Sequence, residues 1–379
     1  PNPAGGVMAF KAGGNLNANL AKQTLAAHLN GKLDQSTIDA KFGLAKFTPP
    51  AYNFDVSIDQ IDVDRYNEKK PDAGGATGKP AQATPAAEQP IDLSALKDLN
   101  ANGSVKIGSL KAANIRASNV RIDIRAAGGK LEVSPLNANL YQGSLAGAVT
   151  VAATNPPRFA VRQNLTGVSI GPLLKDAIGK EPIEGRGSIQ LDVTTQGAVV
   201  SAMKKALDGT AKFDLRDGAV SGVNIAKAIR TAKVKLGGAS EGQQAGTSST
   251  EEKTDFSELT GSFRINNGVA HNDDLSAKSP LLRVGGQGDI NLVSETLDYT
   301  VKATVVSTLQ GQGGPELQAM KGLTVPVRLS GPFTAIAWKV DLAGLATQVV
   351  KQKIDERKDE VKGKAVEKLQ DKLKGLFGK

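Results

Sequence analysis

Cysteine and histidine, which supply many metal ligands and catalytic groups in proteins, are almost absent from this chain. It has no cysteine, which excludes disulfides, cysteine nucleophiles and thiolate metal sites, and it has two histidines, His28 and His271. His271 opens the run HNDD, in which Asp273 and Asp274 could join it as metal ligands. We interpret this run as an ordinary turn, because Asn and Asp favour turns. We place His28 within a strand.

The glycine-rich run GGQGD at residues 285–289 resembles a phosphate-binding loop only loosely. It lacks both the Rossmann spacing and the Lys-Ser/Thr pair of a P-loop. We interpret it as a turn between two strands that uses glycine at positive φ. Carboxylates are numerous, but none forms a convincing acid–base pair. The sequence therefore predicts no catalytic residue, no metal and no cofactor, and we expect a protein that is not an enzyme.

The composition favours an extended sheet over a compact enzyme. The 379 residues include 42 glycines, and only 4% are aromatic, whereas a compact core of this size usually holds more large aromatic side chains. The formal net charge is +9, but the basic residues are scattered and lack stacking aromatic partners, which argues against nucleic-acid binding. Contact with anionic lipid headgroups is the better explanation, because the basic excess is densest near the C-terminus.

Membrane-spanning and targeting signals do not occur in the sequence. No run reaches about 18 consecutive apolar residues, so we predict no membrane span, and we find no signal peptide. The chain begins at Pro1 without Met, inside a strand-like pattern. We therefore interpret it as a fragment or a mature form that has lost its N-terminal part.

Apolar and polar residues alternate with a period of two through most of the chain, which predicts strands with one apolar face. Phe263 and Ile265 alternate with polar residues, as do Tyr299 and Val301. Gly, Asn-Gly and Ser-Pro separate the strands. We predict short helices at residues 172–178, 199–207, 223–232 and 315–321. The fold class is mainly β: a long curved antiparallel sheet, bent into a gutter or partial barrel with an apolar concave face.

Low-complexity stretches divide this sheet. We expect residues 1–67 to be the N-terminal part of the sheet and residues 68–90, rich in Pro and Ala, to be a flexible linker. Residues 91–342 form the main gutter domain, interrupted by a disordered loop at residues 237–253.

The C-terminal residues 343–379 have a helical pattern instead. Leu369, Leu373, Leu376 and Phe377 form an apolar stripe flanked by lysines. Two roles stay open for this amphipathic helix. It could cap the open end of the sheet, or it could lie on a membrane surface. We favour the cap, because burying the stripe against the sheet requires no partner.

A series of segments resembles the C-terminal region of the AsmA family of bacterial envelope proteins. The segments are VSPLNANLYQGSLAGAVTV at residues 133–151, LDGTAKFDLRDGAVSGVNIAKAIR at residues 207–230, the stretch from residue 254 to 292, and VPVRLSGPF at residues 325–333. They occur in the family's order within residues 91–379. The first 67 residues carry no motif that we can assign. Each segment is a short turn-and-strand phrase, so the specificity lies in the series.

The resemblance implies a periplasmic protein anchored to the inner membrane through an N-terminal segment absent from this chain. TamB-like relatives are thought to conduct phospholipids between the inner and outer membranes along a hydrophobic gutter. The family is also linked to the assembly of outer-membrane proteins. The alternative is therefore a non-enzymatic assembly factor that binds outer-membrane or periplasmic proteins.

The residues themselves are compatible with a lipid conduit. Two lipid tails carry roughly thirty methylenes, and exposing them to water costs on the order of 25 kcal/mol at about 0.8 kcal/mol each. A carrier must therefore provide a continuous apolar lining. A closed β core that holds nothing is the competing interpretation. The predicted lipid-binding residues are Val105, Ile107, Leu131, Val133, Ile189, Leu191, Val193, Phe213, Leu215, Phe263, Ile265, Ile290, Leu292, Tyr299 and Val301.

Overall fold

The alternating pattern produces one sheet. A computed structural model describes residues 10–66, 88–222, 224–225, 245–247, 249–306, 322–340 and 358. These residues contain 18 strands joined in a single sheet, together with three short α-helices. The prediction of a mainly β fold built on one large, predominantly antiparallel sheet is confirmed.

The strands follow the chain almost without interruption. Their bounds are β1 Phe10–Asn19, β2 Thr24–Leu33, β3 Ser36–Phe47, β4 Pro50–Asp62, β5 Ala101–Ala112, β6 Ile115–Ala127, β7 Lys130–Leu140, β8 Gly143–Ala152, β9 Arg158–Ser169, β10 Arg186–Gln196, β11 Asp208–Gly222, β12 Ala245–Thr247, β13 Ser249–Asn266, β14 Val269–Lys278, β15 Leu282–Asn291, β16 Thr296–Val305, β17 Thr324–Pro332 and β18 Ala337–Val340. The helices are α1 Ser94–Asp98, α2 Ile170–Ile178 and α3 Val200–Lys205.

Neighbours in the sheet are mostly neighbours in sequence and run antiparallel. The exception is β4, which pairs in parallel with β5, Val56 lying opposite Val105. A parallel pair needs a long return connection, because the chain must come back to the end of the sheet from which it started. Residues 63–100 supply that connection and include α1. The predicted linker at residues 68–90 falls within it, and its residues 68–87 lie outside the described part of the chain.

The far end of the sheet curls back on the chain. The last strand, β18, pairs with β17 on one side and with the short β12 on the other, Gly246 lying opposite Trp338. One residue separates β12 from β13, so the strands from β13 to β18 nearly complete a turn. We call these strands, together with β12, the rolled end. The sheet as a whole stays open, because β1 pairs only with β2 among the described residues.

The rolled end encloses the densest part of the core. Its fully buried side chains include Val325, Val340 and Ala303, which have no exposed surface. Leu282, Val305 and Val327 lie beside them, and the only tryptophan of the chain, Trp338, packs against this cluster. Trp338 is therefore a natural fluorescent reporter of the rolled end.

A buried polar network is set into this core at Asn272. Asn272 is 1% exposed, and its amide nitrogen donates to the carbonyl of Ser262 and to Asp274, each at 2.7 Å. Tyr299, itself buried, donates its hydroxyl to the amide oxygen of Asn272. The registers of β13 with β14 and of β14 with β15 both shift beside Asn272, and such bulges bend and twist a sheet. The network therefore satisfies polar groups at the place where the sheet begins to roll.

Three sequence interpretations are corrected by the long-range pairing. The run GGQGD, interpreted as a turn, lies inside β15, where its glycines pair with β14 and β16. The run HNDD, interpreted as a turn, lies inside β14. Within the loop predicted at residues 237–253, residues 245–247 form β12 and residues 249–253 begin β13, because β18 and β11 provide partners for their backbone groups. Residues 237–244 and 248 lie outside the described residues.

The predicted helices have different outcomes. The helices predicted at residues 172–178 and 199–207 correspond to α2 and α3. Gly179 ends α2 in the left-handed conformation, with φ of 71° and its N–H donating to the carbonyl of Lys175, as expected for a glycine after a helix. The helix at 315–321, nearly all of 223–232, and residues 343–379 except Lys358 lie outside the described residues.

We predict that Gly288→Ala destabilises the rolled end by roughly 2 kcal/mol or more. Gly288 has φ of +153°, and an added Cβ would lie 2.4 Å from the carbonyl oxygen of Asp298. The midpoint of urea unfolding, followed by Trp338 fluorescence, should fall. Gly285→Ala is the matched control, because its Cβ would meet its nearest atom at 3.8 Å. Equal midpoints for the two variants would contradict the placement of GGQGD within β15.

We predict that Tyr299→Phe lowers the free energy of unfolding by about 1–3 kcal/mol, because it leaves the buried amide oxygen of Asn272 without a donor. Trp338 fluorescence is again the measurement. Tyr52→Phe serves as the control, since Tyr52 is 45% exposed and its hydroxyl has no hydrogen bond to the described residues, and should change stability by less than about 0.5 kcal/mol. A Tyr299→Phe variant as stable as the parent would show that this network does not stabilise the rolled end.

Candidate functional site

One face of the sheet is apolar from strand to strand, and we call it the apolar face. Residues directly opposite each other on neighbouring strands project from the same face, so the register can be followed across the sheet. One such row crosses β7 to β16 through Val133, Val149, Val161, Val193, Gly209, Ile265, Ala270, Ile290 and Leu297. The row contains no polar side chain.

The register places the predicted lipid-binding residues within strands on this one face. Val105 and Ile107 pair with Ile122 and Val120, and the row through Ile122 and Leu136 leads into the same face. Leu292 directly follows β15 and is partly buried. From β7 to β10, the strand residues on this face include no Lys, Arg, Asp or Glu. Contact of these residues with lipid stays a prediction.

Burial of the apolar face changes along the sheet. Ile107, Leu215, Ile265, Tyr299 and Val301 are buried. The other predicted residues are partly buried, namely Val105, Leu131, Val133, Ile189, Leu191, Val193, Phe213, Phe263 and Ile290. The middle strands, β5 to β11, therefore keep part of their apolar side chains accessible, whereas the rolled end buries its apolar side chains.

The face is most open at β1 to β4, where the sequence analysis nominated no residue. Leu16, Phe42 and Tyr52 are 64%, 43% and 45% exposed, and Leu29 is 40% exposed. The register puts them on the apolar face, because Leu16 pairs with Ala27, Ala27 with Phe42, and Phe42 with Phe54. The same alternation was visible in these strands, and it could have identified them.

The opposite face is polar and carries surface ion pairs. Arg216 bridges Asp214 and Glu258, and Lys278 reaches Glu258 from the next strand. The hydrogen bond from Lys278 lowers the pKa of the Glu258 carboxyl, and Arg216 adds to this effect. A concavity of about 860 Å³ lies over β1 to β5, and it is lined by polar side chains such as Lys41 and Asp55 together with Phe42 and Phe54. Exposed ion pairs of this kind contribute little to the stability of the fold, and they are typical of a solvated surface.

Each of the two histidines forms a hydrogen bond with one carboxylate. His28 Nε2 lies 2.9 Å from Asp39 Oδ2, and His271 Nδ1 lies 2.7 Å from Asp289 Oδ1. In β14, Asp273 pairs with Arg264, and Asp274 accepts hydrogen bonds from Ser262. Burial opposes ionisation of Asp274, but these hydrogen bonds outweigh it and lower the pKa of the carboxyl. No group of three or more metal-ligating side chains occurs in the part of the chain that the structure describes.

A Gly-x-Ser-x-Gly spacing, GVSIG at residues 167–171, lies where β9 passes into α2. This is the spacing of a nucleophile elbow, which needs a histidine as base. The hydroxyl of Ser169 instead donates to the amide oxygen of Gln142 at 3.3 Å. Both histidines of the chain are hydrogen-bonded to aspartates on other strands. Ser169 therefore has an amide as its partner and no base.

The C-terminal stripe of Leu369, Leu373, Leu376 and Phe377 was predicted either to cap the sheet or to contact a membrane surface. These residues lie outside the described part of the chain, so both roles proposed for them stay predictions. Among the helices that the structure describes, none has the length and apolar character needed to cross a bilayer.

Comparison with known proteins identifies the family of this chain. A family model described as the AsmA family matches residues 6–275. The protein AsmA of Escherichia coli (strain K12) is 25% identical over 255 residues, which cover 65% of this chain and 40% of that protein. The chain thus spans about 40% of the length of this relative. No solved structure matches the chain.

The family match extends the resemblance found in the sequence motifs. It takes in β1 to β4, in which no motif was recognised, and it ends within β14. The matched range covers well over half of the chain, from the exposed start of the apolar face to the first strands of the rolled end. The chain therefore belongs to the AsmA family, a family of bacterial envelope proteins.

Proposed function

We propose that this protein holds phospholipid acyl chains against its apolar face and conducts them between the inner and outer membranes. The observation that carries the proposal is the continuity of that face. Aliphatic residues follow one another across successive strands, and from β7 to β10 no charged side chain interrupts them. An acyl chain lying across these strands finds apolar contact at each step.

The chemistry of the lining fits a lipid that must move. Transferring apolar surface out of water is favourable and non-directional, so aliphatic walls stabilise an acyl chain without fixing one geometry. Exposing the tails would cost on the order of 25 kcal/mol, at about 0.8 kcal/mol per methylene. A face with few aromatic or polar groups lowers the cost of exposing the tails at every position. It also leaves few deep free-energy minima that would hold a lipid in one place along the path.

The two ends of the apolar face differ in exposure, and this difference supports one direction of lipid entry. At β1 to β4, Leu16 and Phe42 are exposed and can accept apolar groups from outside. At the rolled end, Val325 and Val340 have no exposed surface, and that interior is already filled by the protein. We infer that lipid enters at the β1 to β4 end and reaches the middle strands before the rolled end.

We propose that the transfer takes place in the periplasm, which the family's association with the bacterial envelope supports. Under this proposal the protein is anchored to the inner membrane by a segment outside this chain, and its partners are phospholipids and the membrane surface. The C-terminal stripe of Leu369, Leu373, Leu376 and Phe377 then either caps the sheet or contacts a bilayer.

An assembly factor for outer-membrane proteins is the second candidate, and the free edge of β1 favours it. β1 is 10 residues long, and its outer edge has no strand partner among the described residues. Such an edge can pair with a strand of another protein. This candidate requires the backbone of β1, whereas the lipid proposal requires the side chains of the apolar face, so variants can separate them.

We predict that Val193→Glu reduces the phospholipid that co-purifies with the protein at least several-fold. Val193 is partly buried on the apolar face, and a carboxylate there would have to be desolvated against a bound tail. Native mass spectrometry and phosphorus analysis of the purified protein provide the measurement. Trp338 fluorescence checks that the variant is folded.

Thr194→Glu is the matched control for this experiment. It adds the same charge one position along β10, on the polar face and exposed to solvent. This variant should retain the lipid of the parent protein. Equal lipid content in the two glutamate variants, or a parent protein without any lipid, would overturn the conduit proposal.

A further inference from the structure

Gln163 is a polar side chain in the middle strands of the apolar face. Gln163 of β9 lies opposite Gly147 of β8 and Leu191 of β10, in a row that continues through Ala211 to Phe263. Its neighbours along β9 on the same face are Val161 and Leu165. A primary amide thus projects from a surface that is otherwise aliphatic at this position.

The amide of Gln163 is only half satisfied. Its nitrogen donates to the carbonyl of Ala148 at 3.5 Å, a long hydrogen bond. Its oxygen, Oε1, is buried and has no hydrogen-bond partner among the residues that the structure describes. Reversing the amide would set Oε1 against the carbonyl oxygen of Ala148, so the unpartnered atom is the acceptor. A buried acceptor without a donor costs free energy, and native proteins rarely keep one.

Other polar side chains on this face are satisfied within the protein. Thr195 donates its hydroxyl to the carbonyl of Met203 at 2.6 Å. Asn272 uses both ends of its amide in the network with Tyr299 and Asp274. Gln163 therefore differs from them in lacking a partner for its acceptor.

Gly147 creates the space that the amide occupies. A Cβ at Gly147 would clash with the backbone carbonyl oxygen of Arg162, and it would also lie 2.4 Å from Oε1 and 2.7 Å from Cδ of Gln163, so both the backbone and the amide require glycine opposite them in this conformation. Gln163 as a whole is partly exposed, and rotation of its terminal amide away from Gly147 would bring Oε1 to the surface of the apolar face.

We propose that Gln163 is a recognition point that accepts a hydrogen bond from an N–H or O–H group at the polar end of a lipid held on the apolar face. This inference rests on the proposed lipid function and adds a chemical selectivity to it. Lipids whose headgroups carry a donor, an ammonium or a hydroxyl, satisfy Oε1. A trimethylated ammonium has no such donor and leaves the acceptor unpartnered.

Competition among lipids with identical tails tests this selectivity. The full chain is incubated with vesicles containing equal parts of dioleoyl phosphatidylethanolamine, phosphatidylglycerol and phosphatidylcholine, and the lipid that stays bound is identified by native mass spectrometry. The parent protein should favour the first two over phosphatidylcholine by about fivefold to tenfold, as expected for one hydrogen bond. Ethanolamine and glycerol headgroups compete in the same sample, which distinguishes an ammonium donor from a hydroxyl donor.

Gln163→Met removes the acceptor and keeps the length of the side chain. We expect this variant to bind the three lipids equally while its affinity for phosphatidylcholine is unchanged. Gln163→Glu keeps an acceptor, and it should favour the ammonium headgroup over phosphatidylglycerol. Asn164→Leu, which changes the exposed amide next along β9 on the polar face, should leave the preference of the parent protein intact.

The outcomes separate this inference from the proposed function. If the parent protein and Gln163→Met bind all three lipids with the same preference, the recognition point is overturned and the lipid function stands. If the parent protein binds none of the three, both are overturned. If the Gln163→Met variant differs from the parent only in a higher unfolding midpoint, Gln163 has a purely structural role and the recognition point is overturned.

Discussion

The hydrogen-bond ladder between neighbouring strands is the constraint on which the other features of this protein depend. Side chains alternate with a period of two, so a register slip of one residue in any strand would turn its apolar residues to the polar face. The observed register instead lines up Val133, Val161, Val193 and Ile265 in a row that crosses seven strands, from β7 to β11 and on through β13 to β14. The continuity of the apolar face, and with it the proposed path for lipid, follows from this alignment.

The same ladder produces two different ends, because it bends where its register shifts. Beside Asn272 the bulges in β13 and β14 curve the sheet until β18 reaches β12, and the aliphatic side chains of the rolled end fill the interior. At β1 to β4 the strands have no such return, and Leu16 and Phe42 stay exposed. A closed end stabilises the fold, while an open end leaves apolar surface available to a ligand.

Satisfied and unsatisfied polar groups have different meanings on this face. Asn272 and Tyr299 form a complete network, which is compatible with a structural role at the bend. Gln163 keeps an acceptor without a donor in the stretch that a lipid would cross. Because the described part of the chain supplies no partner there, we infer that a ligand provides one, and this is the physical basis for assigning selectivity to an otherwise unspecific surface.

Local alternation was sufficient to predict the mainly β fold, most of the strands, and the residues that share a face, such as Phe263 and Ile265. It could not identify elements whose conformation depends on distant partners. GGQGD looked like a turn because glycine is permissive, yet Gly288 is in β15 because the backbone of β16 approaches it closely. HNDD looked like a turn because its residues are polar, yet β13 and β15 pair with it on both sides. The alternating pattern alone thus determined which side chains are apolar together. Only the tertiary structure decided where that face closes and where Gln163 lies within it, because strand pairing joins residues that are far apart in the chain.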